Sequence, residues 1–327
     1  MKAIVCRRYG PPEVLACEEV ERPVAGDGEV LVEVRAAGVN PLDSHLMRGR
    51  PAVARIFFGL RGPKVERPGR DVAGVVAAVG GSVTRFAAGD AVFGSCRGAF
   101  AEYACAAESA LAPKPASVTF EQAAAAPVAA YTALQGLRDL GRLAPGRKVL
   151  INGAAGGVGT FAVQIARWLG AEVTGVCGAA NAAMVRSLGA EHVVDYTRED
   201  FTRSAQRYDL IFDLVGNHPA LACRRVLSRE GTYVLAGVLG RKGMTGFLTF
   251  PLEAFLLSPF VSQRMVVLMA RSSGEDLALI GDLMAAGTVT PVIDRRFALS
   301  EAPDAIRYLE AGHARGKIVI TPGPPTT

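Results

Sequence analysis

Between Val149 and Gly159 the chain reads Val-Leu-Ile-Asn-Gly-Ala-Ala-Gly-Gly-Val-Gly, and this stretch restricts the fold more than any other. An apolar run of strand length, 149–152, enters a glycine turn, and the turn opens a segment with helical patterning, 159–170. A second apolar strand follows at 172–177. Strand, turn, helix and strand in that order, within about thirty residues, form the arrangement that holds a dinucleotide pyrophosphate. Glycines let the backbones approach closely, and the N–H groups at the helix start face the phosphate charge. Gly153, Ala155, Gly156, Gly157, Val158 and Gly159 are therefore candidate cofactor contacts. The spacing is not a strict G-x-G-x-x-G, because Ala155 precedes the paired glycines. The plain alternative is an ordinary tight strand-to-helix loop, and the surrounding order of elements favours nucleotide binding over it.

The alternation continues beyond this turn, with a helix at 181–188 and strands at 192–195, 210–214, 232–236 and 265–269. That succession predicts a parallel, doubly wound sheet. The first third reads differently. Short apolar strands at 2–5, 29–36, 71–79, 91–94 and 98–106 are punctuated by Gly and Pro, as in a barrel-like β domain. The change comes near Phe120, where 121–140 is alanine-rich and helix-prone, with Ser117 or Thr119 as its cap. A helix at 276–286 and a strand at 317–321 close the chain, the strand returning to the first domain. The expected fold is α/β: a β-rich, barrel-like catalytic domain over 1–122, completed by 271–327, with a doubly wound parallel-sheet (Rossmann) domain inserted at 123–270. The length of 327 residues suits two domains of about 150 each.

Composition narrows the function classes. Half the residues are hydrophobic and a fifth are charged, which excludes a disordered, collagenous or coiled-coil chain. No uninterrupted apolar run reaches the roughly 20 residues of a membrane helix. The nearest, 122–136 and 247–261, are broken by Pro127 and by Pro251, Glu253 and Pro259. The first eight residues turn charged too early for a signal peptide, so a cytoplasmic location is expected. The net charge of +5 invites a nucleic-acid partner, but the cations are scattered among Asp and Glu. One local basic cluster, Arg48, Arg50, Arg55, Arg61, Lys64, Arg67 and Arg70, lies in no nucleic-acid motif and suggests a loop near an anionic ligand. The six cysteines and four histidines are dispersed, without a C-x-x-C pair, which indicates neither a zinc site nor a disulfide framework.

Cofactor choice is read at the end of the second strand of the nucleotide fold. NAD sites place Asp or Glu about 20 residues after the glycines to bind the ribose hydroxyl. Here the chain reads Cys177-Gly178-Ala179-Ala180-Asn181, with no carboxylate to repel a 2′-phosphate. NADPH is the expected cofactor. No arginine stands in that turn either, which leaves Asn181, Arg186 or Tyr196 to receive the phosphate.

Several separated segments then resemble one family along residues 1–321: 36–43 (AAGVNPLD), 69–76 (GRDVAGVV), 83–94, 98–103, the glycine turn, and 315–319 (RGKIV). They resemble the medium-chain dehydrogenase/reductase superfamily, in its zinc-free quinone oxidoreductase branch. The resemblance implies a co-chaperonin-like catalytic domain, an inserted nucleotide domain, an active site in the cleft between them, and a homodimer. Where the superfamily's alcohol dehydrogenases hold catalytic zinc with Cys, His and Cys, this sequence has Asn40, Arg70 and a stretch near Val128-Ala129. Without that Lewis acid, alkoxide formation loses its electrostatic support, which turns the chemistry towards quinones or α,β-unsaturated carbonyls.

The function implied is NADPH-dependent hydride transfer to a small quinone or enone, with neither nucleic acid nor membrane as partner. Asn40, Asp43 and Tyr131 are the candidate catalytic residues, orienting the nicotinamide or stabilising a developing oxyanion. Their plainer roles are loop shaping, helix capping and packing. Resemblance adds Thr132 and Asn40 beside the nicotinamide, Tyr196 near the adenosine phosphate with Gly178 and Asn181, and Val215, Gly237 and Val238 after later strands. It also brings in Arg315 and Lys317 from the closing strand. His45 is a weak acid–base candidate. The apolar segment 247–261 is expected to cover a hydrophobic substrate or meet a second subunit, and 265–269 to pair with its symmetry mate. The rival functions are an enoyl-thioester reductase and a non-catalytic NADPH-binding sensor or scaffold.

Overall fold

Valines at alternate positions make Glu29–Val39 the strand on which the N-terminal part of the chain is assembled, with Val30, Val32 and Val34 in the core. The computed structural model describes residues 1–52, 55–236 and 262–323. One edge of Glu29–Val39 pairs antiparallel with Asp71–Val79. The other edge is shared, by Tyr103–Ala107 at its start and by Lys317–Thr321 at its end. The sheet extends through Ala91–Ser95 and Leu111–Pro113 on one side and Ile293–Ala298 on the other. Lys2–Cys6 and Leu15–Glu19 form a separate antiparallel pair. Two registers position the functional residues of this unit: Gly38 lies opposite Asp71, and Ile318 opposite Val39. Asn40, Asp71 and Lys317 are thereby brought to one end of the sheet.

The chain divides into two units, Met1–Tyr131 with Ser272–Thr327 and Thr132–Arg271. The expected boundaries were 122/123 and 270/271. The alanine-rich stretch is three helical pieces, Phe120–Ala125, Pro127–Leu134 and a π-helical Gln135–Leu140. Pro127 has no N–H to continue the first piece. Of the two candidate caps it is Thr119 that acts. Its Oγ1 accepts from Gln122 N at 3.1 Å, and its own N–H donates to Gln122 Oε1 at 3.0 Å.

Among the described residues the second unit holds six strands, all parallel: His192–Asp195, Glu172–Cys177, Lys148–Asn152, Tyr208–Asp213, Leu227–Leu235 and Arg264–Val267 in spatial order. Counted along the chain this is 3-2-1-4-5-6, the doubly wound order with its switch point beside Lys148–Asn152. The helix after the glycine turn is Gly157–Trp168, two residues ahead of the sequence expectation, and Gly159 through Ala166 are all buried. Among the described residues no helix is long and apolar enough to cross a membrane. Gly237, Val238 and the apolar segment 247–261 lie outside the described residues.

A β-carbon at Gly159 would stand 2.1 Å from the Gly153 carbonyl oxygen, so the helix can lie against the turn only with glycine there. Gly159→Ala is expected to cost about 1–3 kcal/mol through overpacking. The measurement is the urea midpoint, followed by the fluorescence of the chain's one tryptophan, Trp168, at the end of the same helix.

Candidate functional site

In the first unit the site grows from the point where Glu29–Val39 gives way to the helix Pro41–Arg48. Asn40 is the helix N-cap and Pro41 its first residue, where a missing N–H costs nothing. Asp43 closes the first turn, its Oδ2 accepting from the Asn40 backbone N–H at 2.8 Å. The Asn40 side chain turns away from its own helix. Its Nδ2 donates to Asp71 Oδ2 at 2.9 Å, and its Oδ1 accepts from Lys317 Nζ at 2.5 Å. A carboxylate cannot donate and an ammonium cannot accept, so these neighbours fix the amide orientation.

Asp71 is fully buried and Lys317 nearly so, with Nζ and Oδ2 3.4 Å apart. The other oxygen, Asp71 Oδ1, accepts from Val128 N at 3.0 Å, at the N-terminus of Pro127–Leu134, where a negative charge suits the helix dipole. Gly38 makes room for this arrangement. A β-carbon there would lie 2.4 Å from the Ala124 carbonyl and 3.1 Å from Asp71 Oδ2.

Asp43 is also sealed from solvent, and burial pushes its carboxyl up to about 7; Asp71 adds to the rise, while Lys317 and Arg70 oppose it. Burial raises the Asp71 carboxyl too, against the pull of Lys317, Asn40 and Val128. The Tyr131 phenol sits well above its ordinary range for the same reason, near Arg70 and the Ser95 hydroxyl. Asp43 reaches the wall of a cavity of about 270 Å³ shared with Met47, Gly69 and Arg70. Burial lowers the His45 imidazole, which lies near Glu310 and Arg50.

The residues at the three zinc-ligand positions do not fit a zinc ion. Arg70 is a cation, the Asn40 oxygen is taken by an ammonium, and Val128-Ala129 offers no side-chain donor. Both nearby carboxylates are already engaged.

In the second unit the glycine turn does three things. Gly153 adopts φ +88°, and the turn brings Val215 against it, the Val215 Cγ2 lying 2.9 Å from where a β-carbon would stand. Gly156 is the helix N-cap and has no side chain to satisfy the first-turn N–H groups. The N–H groups of Gly157, Val158 and Gly159 have no partner within the helix and suit a pyrophosphate, whereas the Thr160 N–H already donates to the Gly156 carbonyl at 3.0 Å. Ala155 precedes them, almost buried. The residues present fit a dinucleotide.

Beside the end of Glu172–Cys177, a β-carbon at Gly178 would lie 3.4 Å from the Tyr196 hydroxyl, and the Asn181 N–H donates to the Gly178 carbonyl. Asn181 Oδ1 is buried without a hydrogen-bond partner. Tyr196 is exposed and lines a depression of about 360 Å³ with Arg198, Asp200 and His218. Arg198, two residues past Tyr196, was not named in the sequence reasoning. That reasoning also missed Asp213, the buried end of Tyr208–Asp213. Asp213 Oδ1 accepts from Asn152 Nδ2 at 2.8 Å, Val215 N at 3.0 Å and Gly216 N at 2.8 Å, and its Oδ2 accepts from the Tyr233 hydroxyl at 2.6 Å. A carboxylate ending the apolar run Leu-Ile-Phe-Asp was the available signal.

The two residues expected from the closing strand lie in the first unit. Lys317 is committed to Asn40 and Asp71, and the Arg315 N–H donates to Asp294 Oδ2. Thr132 is buried on Pro127–Leu134, next in sequence to Tyr131.

An alcohol dehydrogenase GroES-like domain model matches residues 26–116, and a zinc-binding dehydrogenase model matches 188–320. The chain is 35% identical to the mitochondrial NAD(P)H oxidoreductase RTN4IP1 of Mus musculus, over 98% of this chain and 89% of that one. It is 33% identical to the chloroplastic NADPH-dependent alkenal/one oxidoreductase of Arabidopsis thaliana, over 99% and 80%. Among solved structures, the quinone oxidoreductase of Coxiella burnetii superposes with a TM-score of 0.88 at 31% identity, covering 98% of this chain and 99% of that one. The Escherichia coli quinone oxidoreductase complexed with NADPH gives 0.84 at 26%, covering 98% and 100%. The chain belongs to the medium-chain dehydrogenase/reductase superfamily, in its quinone-oxidoreductase-like branch.

The raised Asp43 carboxyl has a measurable consequence. A group whose folded value lies above its unfolded value, about 3.9, stabilises the fold at low pH and loses that contribution as pH rises to about 7. The wild type is expected to lose up to about 4 kcal/mol relative to Asp43→Asn between pH 4 and pH 8. Urea titrations of both proteins across that range check it, and parallel curves would refute it.

Proposed function

We propose that this protein is an NADPH-dependent, zinc-independent oxidoreductase that reduces quinones or α,β-unsaturated carbonyls. The observation that carries the reading is the Asn40–Asp71–Lys317 cluster, which fills the family's metal position with mutually satisfied side chains. The relatives' names support the acceptor class: one is an alkenal/one oxidoreductase, another a quinone oxidoreductase. When bound, the dinucleotide supplies a hydride for an electrophilic carbon of the acceptor.

The chain's own residues bind, orient and protonate. First-turn N–H groups after Gly156 hold the pyrophosphate, while Asn181, Tyr196 and Arg198 receive the ribose phosphate. Asn40 is held rigid by its two side-chain partners and positions the nicotinamide. Asp43, poised near neutrality on the cavity wall, gives its proton to the enolate or hydroquinone oxygen left by hydride addition. A Tyr131 phenol kept neutral by burial donates a hydrogen bond to the same oxygen. The proposal includes a homodimer formed through Arg264–Val267, an edge strand among the described residues, and a cytoplasmic location.

Three measurements test this. Purified protein should oxidise NADPH with simple quinones or enones and carry no stoichiometric zinc by elemental analysis. A tightly bound zinc lost together with activity would overturn it, as would NADPH binding without turnover of any acceptor. NADPH should bind more tightly than NADH by about 1–3 kcal/mol, the range for charge-assisted hydrogen bonds. Ala179→Asp should reverse that order by repelling the phosphate and accepting from the 2′-hydroxyl. Gly156→Asp should abolish binding of both cofactors without unfolding the chain, because its carboxylate would meet the pyrophosphate. Titrations at one fixed ionic strength decide both.

A further inference from the structure

The 270 Å³ cavity beside Asp43 is graded from inside to outside. Its inner wall is largely apolar, formed by Cys6, Met47 and Gly69 around the Asp43 carboxyl, with the half-buried Arg70 beside that carboxyl and offsetting its charge. Its rim is cationic, with Lys64 and Arg97 exposed and Arg67 half-buried. Among the described residues, none of these three forms an ion pair within 4 Å or a side-chain hydrogen bond. The same three cations also line the adjoining open groove, about 750 Å³, which runs on past Arg7 and Arg22. Those two arginines are occupied, Arg7 by Glu18 and Arg22 over the Tyr103 ring at 3.9 Å. Glu21 and Glu66 also line the groove, Glu66 lying 3.9 Å from Arg7, so the cations without an ion pair gather where cavity and groove join, at Lys64, Arg67 and Arg97.

We propose that this rim recognises an anionic tail on the acceptor, a carboxylate or phosphate carried several bonds from the electrophilic carbon. This rests on the reductase reading above and narrows its substrate class. The apolar, electrophilic head enters against Met47 and Asp43, and the anion stays at the rim, where it keeps part of its hydration. The gradient fixes the orientation. An anion at the inner wall would face the Asp43 carboxyl, whereas at the rim it faces Lys64, Arg67 and Arg97. A neutral acceptor leaves the three cations unpaired and gains only the apolar contacts.

The test compares an eight-carbon 2-alkenal bearing a terminal carboxylate with its methyl ester, so that the reacting enal is identical. The wild type is expected to favour the carboxylate in kcat/KM on the order of tenfold, about 1.4 kcal/mol. The advantage should fall towards unity in Arg67→Gln/Arg97→Gln and with rising salt. It should survive in Arg22→Gln, which removes a groove cation already stacked on Tyr103. Equal turnover of acid and ester by the wild type overturns the proposal while leaving the reductase reading intact. A preference unchanged in the double variant overturns the assignment to this rim. If neither aldehyde is reduced, the reductase reading fails, and calorimetry with 8-hydroxyoctanoate and its methyl ester still decides the rim: tighter carboxylate binding, lost in the double variant, supports it, and equal binding refutes it. Competition by free 4′-phosphopantetheine against the acid separates the sources. Stronger inhibition by the phosphate assigns a phosphate ester, weaker inhibition a carboxylate, and either supports an anion site.

Discussion

Burying an ammonium and a carboxylate together is expensive. The Lys317–Asp71 pair persists because Asn40 supplies both a donor and an acceptor to it and the Val128 N–H supplies another donor. Much of the first unit is organised by this arrangement. Asp71 opens one strand, Asn40 ends another and caps a helix, and Lys317 opens the closing strand. Removing any partner would leave a buried charge or dipole unsatisfied, which typically costs more than the pair contributes when intact. The pairing of Lys317 with Asp71 spans 246 residues of sequence, so the strand after the inserted unit is needed to complete the part of the chain before it.

The same cluster governs the chemistry. In the proposed reaction, the amide and ammonium that occupy the space beside the superfamily's zinc position leave electrophilic activation to hydrogen-bond donors. Desolvation prepares two of them. Asp43 sits near neutrality and Tyr131 far above it, so both can carry a proton in the range where the enzyme would work. On the proposed zinc-independent reading, the filled site and the raised carboxyl belong together. A site without a fixed divalent charge lets burial, rather than coordination, set the protonation of its carboxyl groups.

How legible each element is in the sequence depends on how local its signal is. The glycine turn and the strands at 71–79 and 317–321 stand where patterning put them, because a buried strand writes itself as a nearly continuous apolar run. The helix Pro41–Arg48 was visible only as a possible cap at Asp43, since a two-turn helix shows too little periodicity. Ile293–Ala298 reads Ile-Asp-Arg-Arg-Phe-Ala, a half-exposed strand whose paired arginines hide the alternation. In the site, Asn40 and Asp43 were found through resemblance, whereas Asp71 and Asp213 were missed as interacting groups. Their importance lies in partners 31 and 61 residues away, which no window along the chain contains.

Asp71 and Asp213 also reveal a shared logic in two unlike units. Each is fully buried at a strand terminus, each accepts from the side-chain amide of an asparagine, and each accepts from backbone N–H groups, Asp71 from Val128 at a helix start and Asp213 from Val215 and Gly216 just past its own strand. A carboxylate suits this position because it accepts several hydrogen bonds at once, and loops at strand ends have spare N–H donors. Fixing a loop by donors to one buried anion constrains it more tightly than apolar packing does, since hydrogen bonds restrict angle as well as distance. In the first unit that device aims Asn40; in the second it sets the loop carrying Val215 against the glycine turn. On the proposed reading, that rigidity lies where the cofactor is oriented. The cavity rim is different: its three cations are tied to no carboxylate within ion-pair distance among the described residues, which leaves their charge available to a ligand rather than spent on the fold.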